Sequence, residues 1–394
     1  MVKDWLKLTD DPAEIQAIGK RLIAEFTMVP KNKILRNFYT PFLLNKMRGE
    51  IAGYLPNESE EVREEYLNIC VYHYWAFGFT VDEVFYLHLV GKTVEEKLEY
   101  MPRQLRHLYV GHLNEAAGDD RIIQLEDKYR LYQRLEPYYK RDVIEVHTMD
   151  DLAVFEEFAR KHNEFVVKPA DFAFGYGVHK ASMDEYGNDY KVALESILNE
   201  GIKIKEQSPS RVTKMVLEEL IEQDEGLAVL HPASVNGIRA NAVRGKDGKI
   251  HIYHPWIKAG VSGTFVASAA LNGFDAEIDP VTGVVITDGC REKGEPYKVH
   301  PDSGITIKGF QIPKWDELIE FVDEIMAELP EYGCIAWDLV LTPRGWCVME
   351  GNYSGDFMFQ MTSNRGFKKE FEELIGWTFD KDFWWEKSEA FWHN

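Results

Sequence analysis

From residue 1 to about 115, apolar positions recur every three or four residues, as in Trp5 and Leu8 or Ile15, Ile18 and Leu22, which predicts a mostly helical region. The stretch EEYLNICVYHYWAFGFTVDEVFYLHL is dense in aromatic residues without strand-like alternation, and it predicts buried helix interrupted near Gly78. Thr93 followed by Glu96 has the spacing of a capping box opening a further helix. After Gly111 the pattern changes. The helical periods of DLAVFEEFARKH and KVALESILNEG alternate with the β-branched runs EFVVKPA and TKMVLEELI.

From about residue 226 strands dominate. IRANAVRG and KIHIYHPWIKAG flank an Asp247-Gly248 turn, which predicts a hairpin. The helical run WDELIEFVDEIMAEL is closed by Pro330, and two more strand-like runs, GCIAWDLVLT and GWCVMEGN, are separated by a tight PRG turn. The expectation is an α/β (α+β) chain in three parts: a helical region over 1–115, an α/β subdomain over 116–223, and a strand-rich lobe over 224–394. No internal repeat or low-complexity segment interrupts this order.

Composition narrows the function classes. A formal net charge of −21 argues against nucleic acid or an anionic membrane as partner. No apolar run approaches the roughly 20 residues that span a bilayer. The N-terminus lacks the apolar core of a signal peptide, and Cys70, Cys290, Cys334 and Cys347 are scattered without a CxxC pair. Together these features predict a cytoplasmic protein.

Three segments carry candidate chemistry. In EFVVKPADFAFGYGVHK a β-run delivers Lys168, and a loop with Gly175 and Gly177 follows. Glycines let backbone N–H groups approach phosphate oxygens, and the lysine supplies a positive charge. The alternative is a surface lysine beside an ordinary turn. Neither a Walker loop nor a strand–GxGxxG–helix unit is present. Near the C-terminus Asp338 lies in IAWDLVL, and Glu350 and Asn352 lie in VMEGN. Residues 350 and 352 of a strand share a face, so pairing across the PRG turn brings two carboxylates and an amide together. Such oxygen ligands suit Mg²⁺ on a nucleotide, and the alternative is the solvent-facing side of an amphipathic hairpin. The third segment, KMVLEELIEQDEGL, can offer backbone groups to an adenine edge and a carboxylate to a ribose, or serve as a solvated acidic linker.

The order of these parts resembles the ATP-grasp superfamily, and several segments resemble its sugar-transfer-associated family: YWAFGFTVDEV, LEDKYR, VVKPADFAFGYGV, EELI followed by PASVNGIR, IDPVTG, and GFQIPKW before IAWDLVLTPRGWCVMEGN. The resemblance implies two α/β lobes clasping ATP. It makes Lys128 the first nucleotide lysine and Lys168 the second, reaching the α- and β-phosphates under the loop of Gly175 and Gly177. Glu218 to Ile221 becomes the adenine hinge, with backbone groups from Glu219 and Ile221, and Glu225 the ribose carboxylate with Asp224 as competitor. Arg239 is implied to meet a phosphate or acyl-phosphate oxygen, and Asp338, Glu350 and Asn352 to bind Mg²⁺ or Mn²⁺. The chain departs from the family pattern at Gln223-Asp224, Asn236-Gly237-Ile238-Arg239 and Asn272-Gly273, which bears on the acceptor rather than on ATP.

The reaction implied is that of an ADP-forming carboxylate–amine ligase acting on small-molecule or peptide substrates, in sugar, polysaccharide or peptide-like biosynthesis. A kinase acting on a small-molecule or sugar acceptor and a non-catalytic nucleotide-binding regulator are the alternatives.

Overall fold

The structure is a computed structural model that describes residues 2–28, 40–171, 177–207, 214–263, 267, 273–291, 295–355, 357 and 359–387. It forms two compact units, one of residues 1–115, 245–249 and 356–394, the other of 116–244 and 250–355. Among the described residues no helix is long and apolar enough to cross a membrane.

The first unit is helical. Ser59 caps the helix Glu60–Phe77 by accepting from the Val62 N–H at 3.2 Å. Gly78 ends it in the left-handed conformation, φ +94°, with its N–H donating to the carbonyls of His73 and Tyr74. A residue with a Cβ resists that backbone, so Gly78 stops the aromatic helix where the sequence predicts an interruption. Thr80 and Glu83 then open the helix Val81–Tyr86, and Thr93 and Glu96 open Val94–Leu98 with reciprocal bonds. Tyr72, Trp75, Phe77 and Phe79 are buried in this unit. From the C-terminal tail, the Trp384 indole N–H donates to the Tyr74 carbonyl at 2.7 Å, so Trp384 packs within the same core.

The second unit holds two sheets, antiparallel throughout. The four-stranded sheet contains β1 (Val143–Val146), β2 (Glu164–Pro169), β3 (His179–Ser182) and β4 (Met215–Glu219), in the order β1-β4-β2-β3. Phe165, Val167, Met215 and Leu217 share a core with Phe155 and Phe158 of the helix Leu152–Lys161 and with Leu194 and Ile197 of the helix Tyr190–Gln207. That core takes one face of the sheet and leaves the alternate residues to the other.

The five-stranded sheet contains β5 (Gly237–Arg244), β6 (Ile250–Ala259), β7 (Phe274–Glu277), β8 (Cys334–Thr342) and β9 (Gly345–Asn352), in the order β7-β6-β5-β8-β9. The helix Trp315–Ala327 covers one face, where the Trp337 indole N–H points to the Met326 sulfur at 3.4 Å. Residue 338, the next along the strand, therefore faces the opposite way.

Candidate functional site

In the four-stranded sheet Lys168 is opposite Val216, and Val166 is opposite Glu218. Lys168 and Glu218 are thus diagonal neighbours on the face away from the helices. The lysine Nζ pairs with Glu218 Oε1. The other carboxylate oxygen accepts from Arg141, at 3.0 Å from Nε and 2.9 Å from Nη2. All three side chains are at least nine-tenths buried. Burial pulls the Lys168 pKa down against the pull of Glu218. For Glu218 burial acts upward, yet Arg141 and Lys168 together hold the carboxyl below its ordinary value. Arg141 also donates through Nη1 to the Val348 carbonyl at 2.6 Å, which ties this sheet to β9 of the other.

Lys128 begins the helix Lys128–Tyr139, N-capped by Asp127, and its backbone N–H donates to the Ala170 carbonyl at 3.0 Å. The chain thereby brings Lys128 to the end of β2, and its charge acts on Lys168. Gly177 has φ +71°, and a Cβ there would press on Pro169. Gly175 and residue 272 of the Asn-Gly pair lie outside the described residues.

The residues from Glu218 to Glu225 separate into different roles. Glu218 uses its side chain in the ion cluster. The Glu219 N–H donates to the Asp142 carbonyl at 2.9 Å, and its carboxylate accepts from the Asp142 N–H at 3.0 Å and from Arg344 at 3.2 Å. The Ile221 N–H meets no acceptor among the described residues. Asp224 Oδ1 caps the following turn at the Gly226 N–H, 2.9 Å, while Oδ2 pairs with Lys314 at 3.2 Å. These bonds hold its pKa below the ordinary value, the Gly226 contact contributing most against the opposing effect of desolvation. Glu225 is exposed, and its carboxylate has no partner among the described residues.

In the five-stranded sheet, Glu277, Trp256, Arg239, Asp338 and Glu350 are register partners in one row from β7 to β9. The row lies on the face opposite the helix. Two irregularities aim it. Asp338 pairs with Glu350, but Leu339 pairs with Val348, which leaves Met349 as an extra residue in β9. In β6 an extra residue falls at His254–Pro255, where His254 has φ +41° and hydrogen-bonds Glu277 at 2.7 Å. Bulges of this kind re-aim side chains beside functional sites.

Arg239 grips Asp338 with Nε on Oδ1 at 2.6 Å and Nη2 on Oδ2 at 3.0 Å, and Lys258 Nζ lies 3.4 Å from Oδ2. Burial alone would raise the Asp338 pKa, but Arg239 and Lys258 outweigh it and hold the carboxyl at about 2. Asn352 Nδ2 lies 3.3 Å from Glu350 Oε1 and 3.4 Å from the Ala336 carbonyl. Asp338, Glu350 and Asn352 therefore lie together on one sheet face, with oxygen donors only. That donor set fits Mg²⁺ or Mn²⁺ and offers nothing to zinc-type sulfur or imidazole coordination.

Sequence reasoning missed Lys258 and Arg141. The alternation of β6 cannot place Lys258 beside Asp338 until the bulge at His254–Pro255 is known. Arg141 lies outside any strand, and its spacing from the helix Lys128–Tyr139 carries no signal of its partner Glu218.

The model of the family described as sugar-transfer associated ATP-grasp matches residues 115–374. The chain belongs to that family. No curated protein matches this ATP-grasp chain in sequence. Among solved structures it is similar to a D-alanyl-alanine synthetase A from Vibrio cholerae, at 12% identity over 64% of this chain and 60% of that one, TM-score 0.37. An N5-carboxyaminoimidazole synthetase from Staphylococcus aureus complexed with ADP gives 12% identity over 66% and 54%, TM-score 0.38. The ATP-grasp ligase PsnB with its minimal precursor gives 11% over 70% and 66%, TM-score 0.35. The chain thus spans between 54% and 66% of the length of these three structures, and the family assignment rests on the match over residues 115–374.

Proposed function

We propose that this chain is an ATP- and Mg²⁺-dependent, ADP-forming ligase that activates a carboxylate as an acyl phosphate and joins it to an amine. The observation that carries the reading is that the region matched by the family holds two polar clusters, one in each sheet. One is a cationic face with Lys128 and Lys168 at the end of β2. The other is an oxygen-donor face with Asp338, Glu350 and Asn352, flanked by Arg239 and Lys258.

Lys168 and Lys128 hold the α- and β-phosphates by charge-assisted hydrogen bonds. The Ile221 N–H meets the adenine edge, and Glu225 meets the ribose hydroxyls. Asp338, Glu350 and Asn352 would hold Mg²⁺, which neutralises charge on the triphosphate when bound. Arg239 and Lys258 orient the acceptor carboxylate and stabilise oxygens that gain charge during transfer. A carboxylate oxygen attacks the γ-phosphorus and ADP departs. The amine nitrogen then attacks the acyl carbon, phosphate departs, and the amine proton passes to solvent. Such transfer asks for positioning and charge stabilisation more than covalent participation of the protein. The acceptor belongs, on this reading, to sugar, polysaccharide or peptide-like biosynthesis.

The test supplies candidate carboxylic acids with Mg-ATP and hydroxylamine. Hydroxamate formation coupled to ADP release is the expected result. A stable phosphorylated acceptor that forms without any amine would overturn the ligase in favour of a kinase.

A further inference from the structure

The cluster of Arg141, Glu218 and Lys168 places two cations on one buried carboxylate, with Lys168 on Oε1 and Arg141 on Oε2. A stable buried pair needs only one cation, and a surplus positive charge costs free energy unless something uses it. The two cations also differ in what else holds them. The Arg141 guanidinium donates to the carbonyls of Tyr139 at 3.2 Å, Val348 at 2.6 Å and Met349 at 3.5 Å, and it lies 4.7 Å from the Tyr139 ring centre. Lys168 has Glu218 as its ion-pair partner at the end of a flexible stem. The arginine is anchored, and the lysine is the member able to leave.

We infer that Arg141 is a positioning residue for nucleotide binding: it is the standing counter-ion of Glu218 that frees Lys168 to move onto a nucleotide phosphate. This rests on the nucleotide reading of Lys168. Without Arg141, moving the lysine toward a phosphate strands a buried carboxylate. With it, the carboxylate stays paired and the surplus positive charge faces the incoming anion. The contacts to Val348 and Met349 fall on the bulged residue and its neighbour, directly before Glu350. One guanidinium thus touches the partner of the phosphate lysine and the backbone that presents the metal carboxylate. A lysine at position 141 keeps the charge but lacks the planar fork that reaches both.

The experiment titrates Mg-AMP-PNP calorimetrically into the full chain, with a thermal melt of each variant. Arg141→Met is expected to weaken binding by about tenfold or more, the scale for stranding one member of a buried charge pair. Arg141→Met combined with Glu218→Gln removes both the arginine and the carboxylate it serves, and is expected to bind within about threefold of the parent. A merely structural role for Arg141 leaves the double variant as weak as the single one, which overturns the inference. Unchanged affinity in Arg141→Met overturns it as well. Should Arg141→Met fail to fold, the double variant decides, and binding more than about tenfold weaker than the parent counts against the inference. A parent that does not bind AMP-PNP, or a Lys168→Ala variant that binds as well as the parent, sinks the nucleotide reading itself and this inference with it.

Discussion

Arg239 engages both carboxylate oxygens of Asp338 across the β5–β8 register, at 2.6 and 3.0 Å, on a site almost closed to water. Asp338 ordinarily titrates near 3.8 and is held at about 2 here. The folded pKa lies below the unfolded one, so the stabilisation is fully present above about pH 4 and is lost as pH falls toward 2. Urea unfolding of the parent and of Asp338→Asn from pH 7 to pH 2 should show their stability difference shrinking by roughly 2 kcal/mol within that window. A difference independent of pH would show that Asp338 is not held ionised by its two cations.

Glu350 sits beside Asp338 in the β8–β9 register, and its Oε1 accepts from the Asn352 amide at 3.3 Å. Glu350→Gln keeps the shape and removes the charge. ADP release with an acceptor found by the hydroxamate screen should fall by about 10²-fold or more, while the circular dichroism spectrum and melting temperature stay close to the parent's. Excess EDTA should abolish ADP release in the parent, and added Mg²⁺ should restore it. Full activity in either case would remove the metal role of this face.

For Lys168 the expected loss in Lys168→Ala is about 10²–10³ in kcat, the scale for removing one charge-stabilising donor. Lys168→Arg should recover only a fraction, because a planar fork does not reproduce a compact ammonium packed against Glu218. Steady-state ADP release measures both. Complete rescue by arginine would mean that charge alone, without geometry, is what the position supplies.

Gly283, in the IDPVTG turn, has φ +70°, and a Cβ there would overlap the Trp315 indole. The same indole N–H donates to the Pro280 carbonyl at 3.1 Å, so the turn and the head of the helix Trp315–Ala327 are packed as one piece. Gly283→Ala should therefore destabilise by about 2–3 kcal/mol through backbone strain and displacement of Trp315. Denaturant unfolding followed by tryptophan fluorescence reads this directly. A change under about 0.5 kcal/mol would show that the turn relaxes freely.

Local pattern was enough for the elements. The 3.6-residue period of WDELIEFVDEIMAEL became the helix Trp315–Ala327, and the apolar runs around Lys168 and Asp338 became β2 and β8. Thr93 with Glu96 capped a helix, and Gly78 ended one, because caps depend on residues only a few positions apart. The side-by-side placement of Asp338, Glu350 and Asn352 was also legible, since a short turn joins two neighbouring strands and side chains alternate with period two.

What the tertiary structure decided was which charges meet. No local pattern placed the Glu218 side chain, which meets Arg141 and Lys168 because β4 lies between β1 and β2 and brings position 218 diagonally beside 168. Lys258 reaches Asp338 only because one extra residue at His254–Pro255 shifts β6 against β5. Aromatic density around Trp75 predicted buried helix, but only the fold showed Trp384 of the C-terminal tail packing into the same core. Periodicity is a property of neighbouring residues and survives in a single sequence. Register, bulges and the pairing of buried charges depend on strands far apart in the chain, where a one-residue shift reverses the face of every side chain.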